Sequence, residues 1–423
     1  MSTTAAAYRG PVRADERALA PDLARGFMLL LIALANTPWY LWAAEKSGYG
    51  AHPVDGTALD RVVQFVLTVA VDGRIYPMFA FLFGYGMMRT FDRQVEAGAD
   101  TRAAARLLRR RHLWLIVFGF VHAALLFMGD ILGAYGVAGL VLGGLFLRRT
   151  ERTIRVWAGV LGGVLVLLSA LALVGAALAA MAPADAGAAT AAGIPDVIRG
   201  SFANPSPVGA ALNRISVWPV IVFGQGLALI VPAAILLGMA AARRRVLERP
   251  GGHVRLLAWT AVVGVAVGWG TAVPSALDHI GAVDIAAGPL GALEGARQLA
   301  GVFGGVGYVA LFGLIGHLLS RRSRTGPLTY AVTAVGQRSM TCYLTQSVIC
   351  APVLAAWGLG LGGVLGSASM AAFAVGVWLV TVALAVALRR AGRRGPAEVL
   401  LRRLTYRRAA AAPVAVPAPE ATR

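Results

Sequence analysis

Charge is what this chain lacks most. Only 14% of its 423 residues are charged and 58% are hydrophobic, whereas a soluble domain carries about 25% charged residues. Lysine is nearly absent: Lys46 is the only one, and the other basic residues are arginine, as GC-rich coding would give. Cysteine is scarce too. Cys342 and Cys350 share one apolar segment, about 12 Å apart if helical, too far to bridge within one helix. They have no metal-ligand spacing and are read as small packing residues. There is no G-x-S-x-G elbow, no HExxH, no Walker lysine and no recognisable glycosidase carboxylate pair. The glycine-rich stretches 301–307 and 358–363 follow no strand, which excludes the dinucleotide and phosphate loops and leaves close helix approach as their use.

What is present in quantity is apolar sequence. Runs long enough to span a bilayer recur from end to end, at about 23–43, 60–90, 107–147 (a hairpin of two), 156–181, 215–242, 254–273, 288–319, 330–357 and 367–388. The fold expected is therefore all-α, a polytopic membrane bundle of ten helices. The net charge of +19 does not indicate nucleic acid, because the arginines fall in bursts between apolar runs. Of 39 basic residues, 31 lie at the N-terminus or after an even-numbered span, which by the positive-inside rule puts both termini in the cytoplasm. Residues 1–20 form a cytoplasmic segment, 21–390 the bundle, 391–408 an interfacial amphipathic helix and 409–423 an Ala/Pro disordered tail. Ala33-Leu34-Ala35 resembles a cleavage site, but the run continues through Trp39 to Trp42, which suits an uncleaved helix ending in an aromatic belt.

The stretch 116–136, IVFGFVHAALLFMGDILGAYG, holds the most informative residues. It is apolar enough for a bilayer, yet carries His122 and Asp130, eight positions apart. It reads as two helices meeting at a tight turn at Gly129, with Asp130 opening the second. His122 would lie two turns from that turn, about 12 Å deep at 1.5 Å per residue. Ionisable groups at such depth are costly and by default functional, the bland alternative being a neutral histidine bonded to a neighbouring helix.

Other polar residues sit where lipid would exclude them. Asp22 and Arg25 are three apart at the start of the first span, as an interfacial ion pair or as a site for a cytoplasmic anion such as phosphate. Asn36 lies further along the same span and needs a partner. Asp72-Gly73-Arg74 and Pro77 interrupt the second run, the mark of a broken helix. The ninth run, with Gln337, Arg338, Thr341, Tyr343, Gln346 and Ser347, is too polar to face lipid and reads as a cavity wall.

These blocks together resemble the YeiB-like family of bacterial inner-membrane proteins, domain-of-unknown-function family 418. The resemblance rests on Asp22-x-x-Arg25-Gly26 with Asn36; on Pro77-Met-Phe-Ala-Phe-Leu-Phe-Gly84; and on Gly119-Phe-Val-His122 with Gly129-Asp130-Ile-Leu-x-x-Tyr135-Gly136. It continues through Gly336-Gln-Arg-Ser-Met-Thr341-x-Tyr343-Leu-x-Gln346-Ser347, Gly395-Pro-x-Glu398 and Arg402-x-x-Thr405-Tyr406. It covers about 17–408, departing at Cys342, where the family often has asparagine. A wider similarity, in the Asp-x-x-Arg-Gly opening, links the chain to membrane acyltransferases of the acyltransferase-3 and heparan-glucosaminide acetyltransferase types. In the former, ten residues separate an arginine from the catalytic histidine; here that position is Asn36. His52 stands where the latter type could have its histidine, while His122 is the family's own.

The resemblance implies a plasma-membrane protein that passes an acyl group from cytoplasmic acyl-CoA, a substrate rather than a bound cofactor, to an envelope glycan or lipid. His122 would be the general base, Asp130 its orienting carboxylate and Asn36 a donor to the oxyanion. Arg25, with Asp22, Arg74, Tyr135, Gln346 and Ser347, would hold substrate. The alternative is a transporter or lipid carrier whose route is lined by Asp72, Arg74 and the ninth run. Membrane lipids are expected partners and nucleic acid is not.

The charge pattern makes a direct prediction of topology. Reporter fusions between Gln94 and Asp100 and at Arg245 should read cytoplasmic, and fusions at Ala188 and His279 external. A cytoplasmic signal at Ala188 would overturn the ten-helix arrangement.

Overall fold

Proline, glycine and short polar caps cut the apolar runs into helices. The computed structural model describes residues 18–46, 50–181, 196–321 and 326–406, and among these the only strand-like feature is one bridge between Lys46 and Pro53. Helix α1 (Leu19–Asn36) gives way to a 3-10 turn over Thr37–Tyr40, where Pro38 follows. The second run is broken where its glycine and charges fall: α2 (Ala58–Ala70) and α3 (Ile75–Glu96) are separated by 71–74, with Gly73 at φ +77°. That left-handed conformation suits glycine. Asp100 caps α4 (Thr101–Leu125) and Asp130 caps α5 (Ile131–Phe146), each carboxylate accepting from backbone N–H groups that lack a partner in the first turn.

Helix α6 (Glu151–Met181) follows, then α7 (Asp196–Ala203), α8 (Pro207–Leu227) and α9 (Ile230–Arg243). Residues 182–213 lie between two apolar runs and, rich in Ala, Pro and Gly, read as a loop from sequence; 196–213 are instead mostly helical. Ser206 caps α8 by accepting from Gly209 N–H at 3.2 Å, Pro207 fits its first turn, and Phe202 of α7 packs edge-on against Tyr40 at 4.7 Å. The remaining elements are α10 (Val254–Gly270), α11 (Val273–His279), α12 (Ala287–Ser320), α13 (Pro327–Gln337), α14 (Ser339–Leu354), α15 (Ser367–Arg390) and α16 (Pro396–Tyr406). The tail after 406 and the segment before 18 lie outside the described residues.

Among the described residues, seven helical stretches are long and apolar enough to cross a membrane, and α5, α9 and α14 are apolar but shorter. The difference from ten spans has local causes. The three that fall short are α4, whose first half is rich in arginine, α5, which is 16 residues long, and the ninth run, which parts at Arg338. Helix α6 turns most of its leucines and valines outward, as a lipid-facing helix does, while α1, α3, α9 and α12 supply most of the core. The arginine clusters gather at one end. Arg243 pairs with Asp92 (2.8 Å), Arg244 with Glu151 (3.1 Å) and Arg245 with Glu96 (2.9 Å), tying α9 to α3 and α6. The opposite end is closed by aromatic packing of Tyr40, Phe127 and Phe202.

Helix α16 falls within the expected amphipathic segment 391–408. It docks on α4 and α14 by Leu401 and Thr405 while Leu400 stays exposed. Its Glu398 accepts from the N–H groups of Met340 (2.8 Å) and Thr341 (3.1 Å), so this tail helix supplies the missing cap of α14.

Close helix crossing depends on glycine at α1 and α13. A Cβ on Gly336 would strike the Asp22 carbonyl, whereas one on Gly144 would meet nothing. Gly336→Val should therefore lower the melting temperature in detergent, by the equivalent of about 1–3 kcal/mol of overpacking. Gly144→Ala should leave it unchanged or slightly raised.

Candidate functional site

The turn between α4 and α5 is built around one carboxylate. Asp130 is fully buried and His122 is 2% exposed. Asp130 accepts from the backbone N–H of Leu132 (3.2 Å) and Gly133 (2.6 Å), and its Oδ1 lies 2.9 Å from His122 Nδ1. A carboxylate accepts from an N–H, so with Asp130 at Nδ1 the nitrogen left to act as a base is Nε2. That atom faces the Ser347 hydroxyl of α14 at 2.8 Å. Gly119 makes the approach feasible, since a Cβ there would collide with Asp130 and the Gly133 backbone. His122 sits in the last turn of α4, nearer the end of its helix than the sequence suggested, because the chain leaves the helix at Leu126.

Beside this pair ends a cavity of about 540 Å³. Its mouth lies at the arginine-rich end, between Arg25, Arg89, Arg93, Arg111 and Arg245. Its wall also includes Phe79 and Phe83, with ring centroids 4.7 and 5.5 Å from that of Tyr135, and Ile131, Leu132 and Tyr343. The Tyr343 ring is 5.0 Å from the His122 ring. Five arginines and four carboxylates line the cavity, so its charge balance turns on who is paired. Glu248 accepts from Arg89 (2.9 Å) and Tyr85 (2.7 Å), Glu96 holds Arg245, and Glu398 is committed to the α14 backbone. Asp22 stands 3.8 Å from Arg25. Arg111 makes no ion pair among the described residues, so it and Arg25 form the part of the wall best suited to an anion.

The sequence-predicted residues fall into three groups. Asp22, Arg25 and Tyr135 line the cavity, and Tyr135 donates to the Tyr76 carbonyl at 2.6 Å. His122, Asp130 and Ser347 form the hydrogen-bonded chain behind it, next to Gln346, which donates to the Leu29 carbonyl at 3.1 Å. Asn36 and Arg74 belong to neither. Asn36 ends α1 outside the cavity lining. Arg74 is fully buried at the α2–α3 break, where its guanidinium serves the carbonyls of Thr68, Asp72 and Gly268. His52 joins that second cluster, 2.7 Å from Asp72, with the ring of His279 at 6.1 Å. Sequence reasoning did not single out Arg111 or Glu248, and it named Glu398 only within a family motif, with no role. Arg111 lay within a run of arginines read as a topology signal, and the contacts of the other two join distant segments.

Fold and site together define an integral membrane helical bundle with a cavity running from a charged end to a buried polar hairpin. The family described as "Protein of unknown function (DUF418)" matches residues 241–408 of this chain, a stretch that includes the motif around Gly336–Ser347. The chain is 25% identical to the uncharacterized protein YxaH of Bacillus subtilis over 94% of its own length and 96% of that protein. It is 35% identical over 117 residues to the uncharacterized protein YeiB of Escherichia coli, covering 28% of this chain and 29% of YeiB. An uncharacterized 39.9 kDa protein from the amylase 3' region of Bacillus acidopullulyticus is 35% identical over 31% of this chain and 35% of its own. No solved structure matches.

The number of donors on Asp130 predicts unequal effects of its substitutions. Asp130→Ala leaves two backbone N–H groups and the His122 ring N–H buried without an acceptor, at about 1–3 kcal/mol each, and should abolish folded protein in a size-exclusion assay. Asp130→Asn keeps one acceptor oxygen and should still yield a monodisperse peak.

Proposed function

We propose that this protein is a plasma-membrane acyltransferase that takes an acyl group from cytoplasmic acyl-CoA and passes it to a hydroxyl or amine of an envelope glycan or lipid. The observation carrying this reading is one cavity whose wall holds five arginines, the rings of Phe79, Phe83 and Tyr135, and Ile131 and Tyr343 next to the buried His122–Asp130 pair. Arg25 and Arg111 would receive the donor's phosphates. Phe79, Phe83 and Tyr135 would flank the acyl arm. His122 would take the proton of the attacking group, with Asp130 fixing the ring so that Nε2 is the free base. Its position in the last turn of α4, beside the turn to α5, suits a base that an acceptor approaches from the far side.

The transport reading finds less support, because Arg74 stands away from the cavity with its donors on backbone carbonyls. Lipid and cell-envelope mass spectrometry of a deletion strain separates the two. Acyl transfer predicts loss of an acyl mass from an envelope molecule, restored by the wild-type gene and not by His122→Gln expressed at the same level. Arg111→Gln should restore it only partly, through a donor KM raised about tenfold, the loss of one charge-assisted contact. Intracellular accumulation of an unmodified solute, with all envelope acyl masses intact, would contradict acyl transfer and favour a carrier.

A further inference from the structure

The Ser347 hydroxyl leaves its own helix for a histidine. Several helical serines and threonines bond back to their own helix: Thr345 to Thr341 O (2.9 Å), Ser169 to Leu165 O (2.7 Å) and Thr405 to Leu401 O (2.7 Å). This is the ordinary way such a hydroxyl is satisfied. Ser347, on the same helix as Thr345, instead crosses to α4 and meets His122 Nε2 at 2.8 Å, a partner 225 residues away. His122 Nδ1 is held in turn by Asp130, which two backbone N–H groups keep from swinging. Hydroxyl, imidazole and buried carboxylate thus stand in the order and at the spacing of a nucleophilic triad, and such triads are recognised by geometry, not by sequence position. The Ser347 hydroxyl also occupies the Nε2 face that an acceptor hydroxyl would need for direct activation.

We propose that Ser347 is a nucleophile that carries the acyl group between donor and acceptor. The proposal rests on the acyl-transfer reading above and adds a covalent intermediate to it. Tyr343 lines the cavity one turn before Ser347 on α14, so a thioester that reaches Tyr343 lies one helical turn from the serine. In the first half-reaction Ser347 Oγ bonds to the thioester carbonyl carbon while its proton moves to His122 Nε2. The C–S bond then breaks, and the departing sulfur takes that proton. In the second, the acceptor's hydroxyl or amine attacks the Ser347 ester and gives its proton to Nε2. The bond from the acyl carbon to Oγ breaks, and Oγ recovers the proton. No oxidant or cofactor is needed.

The test uses the full-length protein in nanodiscs and two probes. An alkyl fluorophosphonate traps an activated serine whatever the natural donor, and a short-chain acyl-CoA reports the acyl-enzyme by mass of the α14 peptide. The wild type should be phosphonylated at Ser347, with labelling slowed about a thousandfold or more in His122→Gln, and should gain an acyl mass on the same residue. Ser347→Ala should melt with the wild type and take neither label, and Ser347→Cys should regain an acyl mass as a thioester. Fluorophosphonate labelling of Ser347 without any acyl-CoA adduct would uphold the nucleophile while removing acyl-CoA as donor. Envelope acylation at the wild-type rate in Ser347→Ala would overturn the nucleophile and leave acyl transfer standing. Folded wild-type protein inert to the fluorophosphonate would also overturn it.

Discussion

Asp130 is the group on which the rest of this site depends. A carboxylate buried in an apolar bundle costs several kcal/mol unless its oxygens are satisfied, and here three N–H groups satisfy them. Two belong to the first turn of α5, where the helix dipole also favours a negative charge. The third is the imidazole. One side chain therefore starts a helix, closes a hairpin and fixes a histidine tautomer at once. Gly119 is the steric counterpart of this arrangement, because only a residue without a Cβ lets α4 lie against the carboxylate.

Around that centre the molecule separates its buried charges into two groups with different characters. At the α2–α3 break, Arg74 is bound by backbone carbonyls, His52 by Asp72, and Arg297 by Glu294 at 2.6 Å. This is the chemistry of a broken helix whose freed backbone must be satisfied away from lipid. The cavity is different. Its arginines surround open volume, and Arg111 has no carboxylate to answer it among the described residues. The first arrangement closes a structure, and the second is suited to receiving an anion. The tail helix belongs to the second, since Glu398 caps α14 while Leu401 lines the cavity. The cap also explains why the run 330–357 breaks at Arg338: α14 needs an N-terminus there, and its own sequence supplies no side-chain cap.

What the sequence made legible was whatever contrasts with lipid over a short span. His122 and Asp130 stood out in an apolar stretch, and the Gly-Asp turn announced a capped helix. Asp72-Gly73-Arg74 announced a break because charge and glycine are both expensive in mid-span. What stayed hidden depends on partners far apart in the chain. Ser347 looked like one polar residue among several on a cavity wall, and only the packing of α14 against α4 brings it to His122. Arg25, Arg74 and Asn36 looked equivalent as buried polar groups, yet one faces the cavity, one is consumed by carbonyls and one lies at a helix end outside it. The helical content of 196–213 was masked by alanine, glycine and proline, which read as loop when the caps at Ser206 and Pro207 are not recognised.

Acyl transfer requires the arginine-lined part of the cavity and the His122 hairpin to be two ends of one binding site. Photo-crosslinking with an acyl-CoA bearing a diazirine at the tip of its acyl chain tests this most directly. The account predicts that the crosslinks map to 131–135 and 343–347, are competed by unmodified acyl-CoA, and disappear when charge at the mouth is reversed by Arg111→Glu. Crosslinks confined to the lipid-facing surface of α6, insensitive to competitor and to that substitution, would contradict it.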